Sequence, residues 1–301
     1  MRFRRFGLRY LDFQFSVTNG VTLRIVERPG LWMSSGESLE LVGELRSVVD
    51  QCLGPVSLPY GVLSGAKRHL DNAVITVLFD RRTHRPMAFN TLYMLDVTLG
   101  GQRIPLIHLG LGMIHPAFRS RGLSWVLYVL PAMLLLFRHR LKPFWISNVT
   151  QVPLVVGKVA QALSRVYPTP DPSNRKTEDH LVIARELMCR YRAVFGVGHD
   201  AGFDEDRFII TNAYTGGSDN LKKSFAEVPK HRDEAVNVMC QTHLDYDRGD
   251  DFLQIGRFHL RAASVCLLRA MLQAWPSALA SLLWRGSRWP APAGPTGHLR
   301  P

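Results

Sequence analysis

The chain has 301 residues, 46% of them hydrophobic and 21% charged, which is enough apolar content for a sizeable core in one large domain or two moderate ones. Its 37 Lys and Arg against 25 Asp and Glu leave a formal charge of +12, and long-range attraction then favours anionic partners. The cysteines Cys52, Cys189, Cys240 and Cys266 lie far apart with no C-x-x-C pair, so a zinc or disulfide framework is excluded and reduced structural thiols are expected.

The basic start Met1-Arg-Phe-Arg-Arg-Phe6 lacks the apolar stretch and cleavage site of a secretory signal, so the protein is expected to be cytoplasmic. From Asp12 to Arg28 apolar and polar residues alternate around Asn19-Gly20, which predicts a hairpin. Ser35-Gly-Glu-Ser38 supplies capping residues, and Leu39, Leu41, Val42, Leu45, Val48 and Val49 then recur at helical spacing up to Leu53-Gly54-Pro55, which predicts an amphipathic helix. Strands are expected at Ala73 to Asp80, Met87 to Thr98 and Ile104 to Ile114, joined into a meander by turn residues that include Gly100-Gly101.

The third strand carries Gly110 and Gly112, and glycine inside a strand marks either tight packing or the close approach of a ligand. It runs into the basic turn Arg119-Ser-Arg-Gly-Leu-Ser124 and then an apolar helix to Phe137. Free N–H groups, the positive end of a helix dipole and two guanidinium groups converge there, which suits a pyrophosphate. Fifteen or so apolar residues are too few to span a bilayer, so the helix is expected in the core, with Tyr128 packed inside it. A short strand from Pro143 to Asn148 and a helix from Pro153 to Val166 follow, Pro153 suiting a first turn.

Arg119-x-x-Gly122-x-Ser124 after His115-Pro-x-Phe118 is similar to the Q/R-x-x-G-x-G/A signature of the GNAT superfamily of acyl-CoA-dependent N-acyltransferases, with Ser124 in place of Gly or Ala. The element order over residues 12–168 resembles that fold too. The resemblance implies a mixed α/β (α+β) architecture with a GNAT-like mixed central sheet in residues 1–168. It also implies an acyl-CoA donor, most simply acetyl-CoA, and direct attack by an amine acceptor. The pyrophosphate would rest on the N–H groups of Ser120, Arg121, Gly122 and Leu123, with charge from Arg119 and Arg121 and a hydroxyl from Ser124. The pantetheine arm would lie along the preceding strand, where the N–H groups of Leu111 and Met113 would serve as oxyanion donors.

Acyl transfer to an amine also needs a base and an acid. His108 precedes Arg119 by the same interval as the catalytic glutamate of the histone-acetyltransferase branch. An imidazole can serve as base at neutral pH; a packed core histidine is the other reading. Asn148 resembles the family's pantetheine-binding Asn, and a helix cap is its alternative. Tyr167 corresponds to the family's thiolate-protonating tyrosine at a longer spacing from Asn148 than usual. The charge and a C-terminal amphipathic run leave open an acyl-carrier-protein donor with a lipid-like product, and a CoA-binding protein without turnover is a third reading.

Residues 169–177 read as a linker and 178–286 as a helix-rich C-terminal extension. The extension is expected to hold a helix from Glu178 to Phe195, a strand from Arg207 to Asn212, and helices near Asn220 and from Asp233 to Leu244. An apolar helix from Leu260 to Trp284 would touch a membrane surface peripherally. Residues 287–301 read as a disordered tail. Asp245-Tyr-Asp-Arg-Gly-Asp-Asp251 lacks calcium-loop spacing and reads better as an acidic turn suited to a cationic amine. Thr215 to Asn220 with Lys222-Lys223 reads as a capped turn or an anion site at a helix start. Basic residues are scattered without aromatic interleaving, which argues against nucleic acid. The absence of G-x-S-x-G, H-x-x-x-x-D and H-E-x-x-H removes support for serine hydrolases, glycerolipid acyltransferases and zinc proteases.

Overall fold

The computed structural model describes residues 2–3, 10–18, 20–119 and 123–264. In chain order they form β1 (Arg2–Phe3), β2 (Asp12–Thr18), β3 (Val21–Glu27), α1 (Ser35–Leu53), α2 (Lys67–Leu70), β4 (Ala73–Asp80), β5 (Pro86–Leu99), β6 (Gln102–Ile114) and α3 (Ser124–Arg138). After these come β7 (Phe144–Thr150), α4 (Pro153–Ala162), β8 (Ser164–Tyr167), α5 (Glu178–Arg190), β9 (Gly202–Asp204), β10 (Ile209–Thr211), α6 (Glu234–His243) and β11 (Asp251–Phe258). One mixed sheet takes all the strands, in the order β1-β2-β3-β4-β5-β6-β7-β11-β10-β9, with β8 also pairing β11.

The expected hairpin is β2–β3, in register from Asp12 opposite Val26, and α1 starts on a capping box in which Ser34 and Glu37 satisfy each other's backbone N–H groups. Strand β4 is apolar without alternation because both its faces are covered. Ala73, Ile75 and Val77 join the core beneath α1 and α5, while Val74 and Leu78 join Leu127, Leu135 and Leu136 of α3 on the other face. Only β6 and β7 run parallel; every other pair among the described strands is antiparallel. The parallel pair is the one joined through a helix, α3, as parallel strands require.

Several boundaries differ from the expectations. Helix α4 stops at Ala162, four residues before Val166, and the chain extends as β8, which carries Tyr167. The helix expected to reach Phe195 ends at Arg190 and continues as a 3-10 turn, Arg192–Phe195. Near Asn220 there is only the 3-10 turn Asp219–Leu221, so no helix start exists there to hold an anion. Residues 260–264 are helical; the rest of the expected C-terminal helix, Cys266 and the tail lie outside the described residues.

The second half of the chain shares the sheet of the first. Strand β11 pairs with β7 from Phe252–Thr150 to Phe258–Phe144, so residues beyond 168 complete the sheet begun by the first half. The stretch read as a helix-rich extension supplies three strands and two helices to the described structure. No helix among the described residues is long and apolar enough to cross a membrane.

Candidate functional site

Strands β6 and β7 pair only from Leu106–Trp145 to Leu109–Asn148. Beyond that point β6 continues to Ile114 along β5, while β7 continues to Thr150 along β11. Each strand keeps its outer partner, so the two part company and an opening forms in the sheet. This opening points toward the start of α3.

A β-bulge sits at the parting. Asn90 opposes Gly112 and Leu92 opposes Leu109, which leaves Thr91 facing two residues, Gly110 and Leu111, as in a bulged ladder. The Thr91 hydroxyl donates to Leu111 O at 3.1 Å. Both glycines are required by the protein's own side chains: a Cβ on Gly110 would lie 2.6 Å from Thr91 Oγ1, and one on Gly112 would lie 2.0 Å from Tyr128 Oη. Tight packing therefore accounts for them. Tyr128 is pressed against Gly112, and burial raises its hydroxyl to about 12.

The direction of the β6 amides follows from one bond. His115 N–H donates to Met87 O of β5 at 2.9 Å, and successive amides of a strand alternate sides. Met113, two residues earlier and regularly paired with Phe89, thus turns its N–H into the β5 ladder. Gly112 and Ile114 turn theirs toward the opening. The expectation for Met113 is corrected: its donor is already used. Leu111 lies in the bulge, so Gly112 and Ile114 are the donors the geometry offers.

At the far end of β6, Arg119 Nε donates back to Ile114 O at 3.1 Å, placing an exposed guanidinium across the edge of the opening. It also lies against Cys52 at the end of α1, where burial raises the thiol pKa and Arg119 partly offsets the rise. Leu123 is buried at the N-cap of α3. Ser120, Arg121 and Gly122, and the side chain of Ser124, lie outside the described residues.

The expected acid and base are placed elsewhere. His108 is 2% exposed, bonded through Nδ1 to Ser147 Oγ at 3.0 Å and packed against the tilted ring of Phe195 at 4.0 Å between centroids. It sits where β6 and β7 are still paired. Burial lowers its pKa to about 3, so the protonated form a base must pass through is suppressed and the core-histidine reading stands. The Tyr167 hydroxyl donates to Asp206 O at 2.6 Å, and its ring packs edge-on against Phe208 at 5.1 Å. That commitment to a loop carbonyl removes it as the acid. Asn148 lies at the parting itself, with Nδ2 donating to Gln254 Oε1 of β11 at 3.3 Å; it caps no helix, because α4 begins at Pro153 with Val152 as N-cap.

On the face of the sheet beneath α1 and α5, two loops meet above the parting strands. The loop after α1 brings in Tyr60 and Val62, and the segment after α5 brings in Phe195 and Tyr214. Val62 N–H donates to Tyr93 Oη at 2.8 Å, and the rings of Tyr60 and Pro59 pack against Gly196 and Gly217. Under this roof lies Asp251, the first residue of β11, accepting from Tyr214 Oη at 3.0 Å. Burial raises its pKa to about 7, with a further push from the Asp250 charge. Burial, Tyr93 and Asp251 together drive the Tyr60 hydroxyl well above its usual range.

The acidic turn expected at 245–251 divides in two. Arg248 grips Asp250 with both forks, at 2.8 and 2.6 Å, and the Asp245 carboxylate accepts from Arg248 N–H. Asp251 is set apart from that turn by the start of β11. Among the described residues no group of three or more potential ligands is placed to hold a metal ion.

No family model matches the sequence, and a search of curated proteins found no match. Among solved structures the chain is similar to ribosomal-protein-S5-alanine acetyltransferase from Vibrio fischeri, at 11% identity and a TM-score of 0.32 over 50% of this chain and 79% of that one. It is also similar to an aminoglycoside acetyltransferase from an uncultured soil metagenomic sample, at 12% identity and a TM-score of 0.27 over 42% and 74%. A GNAT family acetyltransferase from Staphylococcus aureus matches at 15% identity and a TM-score of 0.26 over 40% and 80%. Likenesses this remote do not decide activity.

Proposed function

We propose that the protein is an acyl-CoA-dependent N-acyltransferase, with acetyl-CoA as the simplest donor and an amine as acceptor. The observation that carries this reading is the parting of β6 from β7 beyond Leu109 and Asn148. It turns the N–H groups of Gly112 and Ile114 onto an open edge that leads to Arg119 and the start of α3. A pantetheine arm carries amides and so can add to that edge as a strand would, while the basic turn receives the pyrophosphate.

The thioester supplies the reactivity; the chain supplies position and charge. Ile114 N–H holds the arm in register. Gly112 N–H, one alternation closer to the parting, stands where an oxyanion would form, and Arg119 contributes positive charge at the mouth. A donor delivered by acyl carrier protein would use the same edge.

Thermal unfolding with acetyl-CoA, a long-chain acyl-CoA and desulfo-CoA tests the reading, beside Arg119→Glu and Arg121→Glu. A ligand at 100 times its Kd stabilises by about 2.7 kcal/mol. A shift that both variants lose supports the reading; no shift with any thioester leaves a carrier-protein donor or a fold without turnover.

A further inference from the structure

Asp251 stands out among the buried carboxylates. It is 5% exposed, and among the described residues no cation pairs with it; Asp250, beside it and 0% exposed, has Arg248. Among the described residues the hydrogen bond from Tyr214 is the one side-chain hydrogen bond it receives. A buried charge without a counter-ion is costly.

A second observation points to the same place. Gln151 is 1% exposed and its Oε1 has no hydrogen-bond partner. The β7–β11 ladder ends where Phe252 opposes Thr150; Gln151 is the residue that follows Thr150, and Asp251 the one that precedes Phe252, so the two leave the same end of the ladder. An acceptor oxygen in want of a donor and a carboxylate in want of a cation thus belong to neighbouring residues at one end of the ladder, the carboxylate beside Tyr60 and Tyr214. The group that answers all of these is an ammonium, which offers positive charge and up to three donors and is attracted to aromatic faces.

We propose that Asp251, Tyr214, Tyr60 and Gln151 form the seat of a cationic primary amine, the acceptor of the acyl group, with Asp251 as its counter-ion and as the acceptor of its proton. This rests on the acyltransferase reading. One ammonium N–H bond breaks and its proton passes to an Asp251 carboxylate oxygen. The freed nitrogen lone pair then forms the bond to the acyl carbon as the C–S bond breaks, and a second nitrogen proton converts the leaving thiolate to thiol. Asp251 afterwards returns its proton to water. Neutral acceptors such as alcohols offer no charge to the seat and are disfavoured.

Isothermal titration of the full chain with n-butylamine, tyramine and spermidine, and with butan-1-ol as the neutral control, tests the seat. At least one amine is expected to bind the wild type at pH 8 at least tenfold more tightly than it binds Asp251→Asn, with butan-1-ol showing no difference. Tyr214→Phe, which keeps the ring, is expected to lose at least threefold and carries the test should Asp251→Asn not fold. An absence of amine binding by the wild type, or amine binding unchanged in whichever variant folds, overturns the proposal. Parallel titration with acetyl-CoA separates the two readings. Thioester binding without variant-sensitive amine binding overturns the seat alone; variant-sensitive amine binding without acetyl-CoA binding overturns the acyl-CoA donor and leaves the seat.

Discussion

Asn90 on β5 repairs a hydrogen bond that Pro131 removes from α3. Pro131 lies inside the helix and has no N–H to give to the carbonyl four residues earlier; Asn90 Nδ2 donates to that carbonyl, Leu127 O, at 2.8 Å. The helix that leads away from the basic turn is thereby pinned to the strand beside the bulge. Asn90→Leu is expected to cost about 1–3 kcal/mol, because a buried carbonyl loses its donor. Adding Pro131→Ala should recover most of that loss, since alanine brings its own amide. Urea denaturation of the two single variants and the double variant measures the coupling; equal gains from Pro131→Ala with and without Asn90 would show that the two residues act independently.

Gly112→Ala should destabilise by about 1–3 kcal/mol, the usual range for overpacking, because the added methyl would meet Tyr128 Oη. Tyr128→Phe removes that oxygen and is expected to restore part of the loss. A double-mutant cycle on thermal unfolding reads the interaction directly, and additive effects would refute the contact.

Proline scanning of β6 tests the direction of its amides. Met113→Pro removes a donor from the β5 ladder and should lower the unfolding midpoint markedly. Ile114→Pro removes a donor that faces the opening, as proline at an edge position does. It should keep most of the stability and abolish the thermal shift with acetyl-CoA. The reverse pattern would mean that the alternation has the opposite phase.

Two buried groups pull the pH dependence of stability in opposite directions. Asp251 has a folded pKa raised to about 7, so between roughly pH 4 and 7 the native state keeps a proton that the unfolded state releases, and stability falls as pH rises. Tyr214, Asp250, Tyr60 and Tyr246 are the titratable groups around it. His108 has a folded pKa lowered to about 3. From roughly pH 3 to 6.5 the unfolded state alone binds its proton, so this contribution is complete above pH 6.5 and is lost as pH falls. The two slopes oppose each other over most of that window. Asp251→Asn should therefore unmask a rise in stability with pH, and His108→Gln a fall. Denaturant midpoints between pH 4 and 7 check both, and parallel profiles for the two variants and the wild type would refute the assignments.

The hairpin at Asn19-Gly20, the capped helix α1, the meander β4–β6 and the order of strand, basic turn and α3 were all legible in the sequence. Each depends on neighbours a few residues apart: alternation, turn residues and helical spacing are local properties. The anion-binding character of the turn could be suspected too, because phosphate chemistry and helix termini leave a compact signature around Arg119.

What only the tertiary structure decided depends on pairing between distant segments. A single-residue bulge opposite Thr91 sets the register of β6, and its bond from His115 to Met87 shows that Gly112 and Ile114, rather than Met113, face the opening. The burial of His108 comes from Phe195, far along the chain, and the diversion of Tyr167 from a loop carbonyl at Asp206. Asp251 looked in sequence like one more member of an acidic turn. It became distinct because β11 folds back beside β7, bringing it to the end of the ladder that Gln151 also leaves and beside Tyr60 and Tyr214, and strand pairing over a hundred residues leaves no periodic trace in either partner.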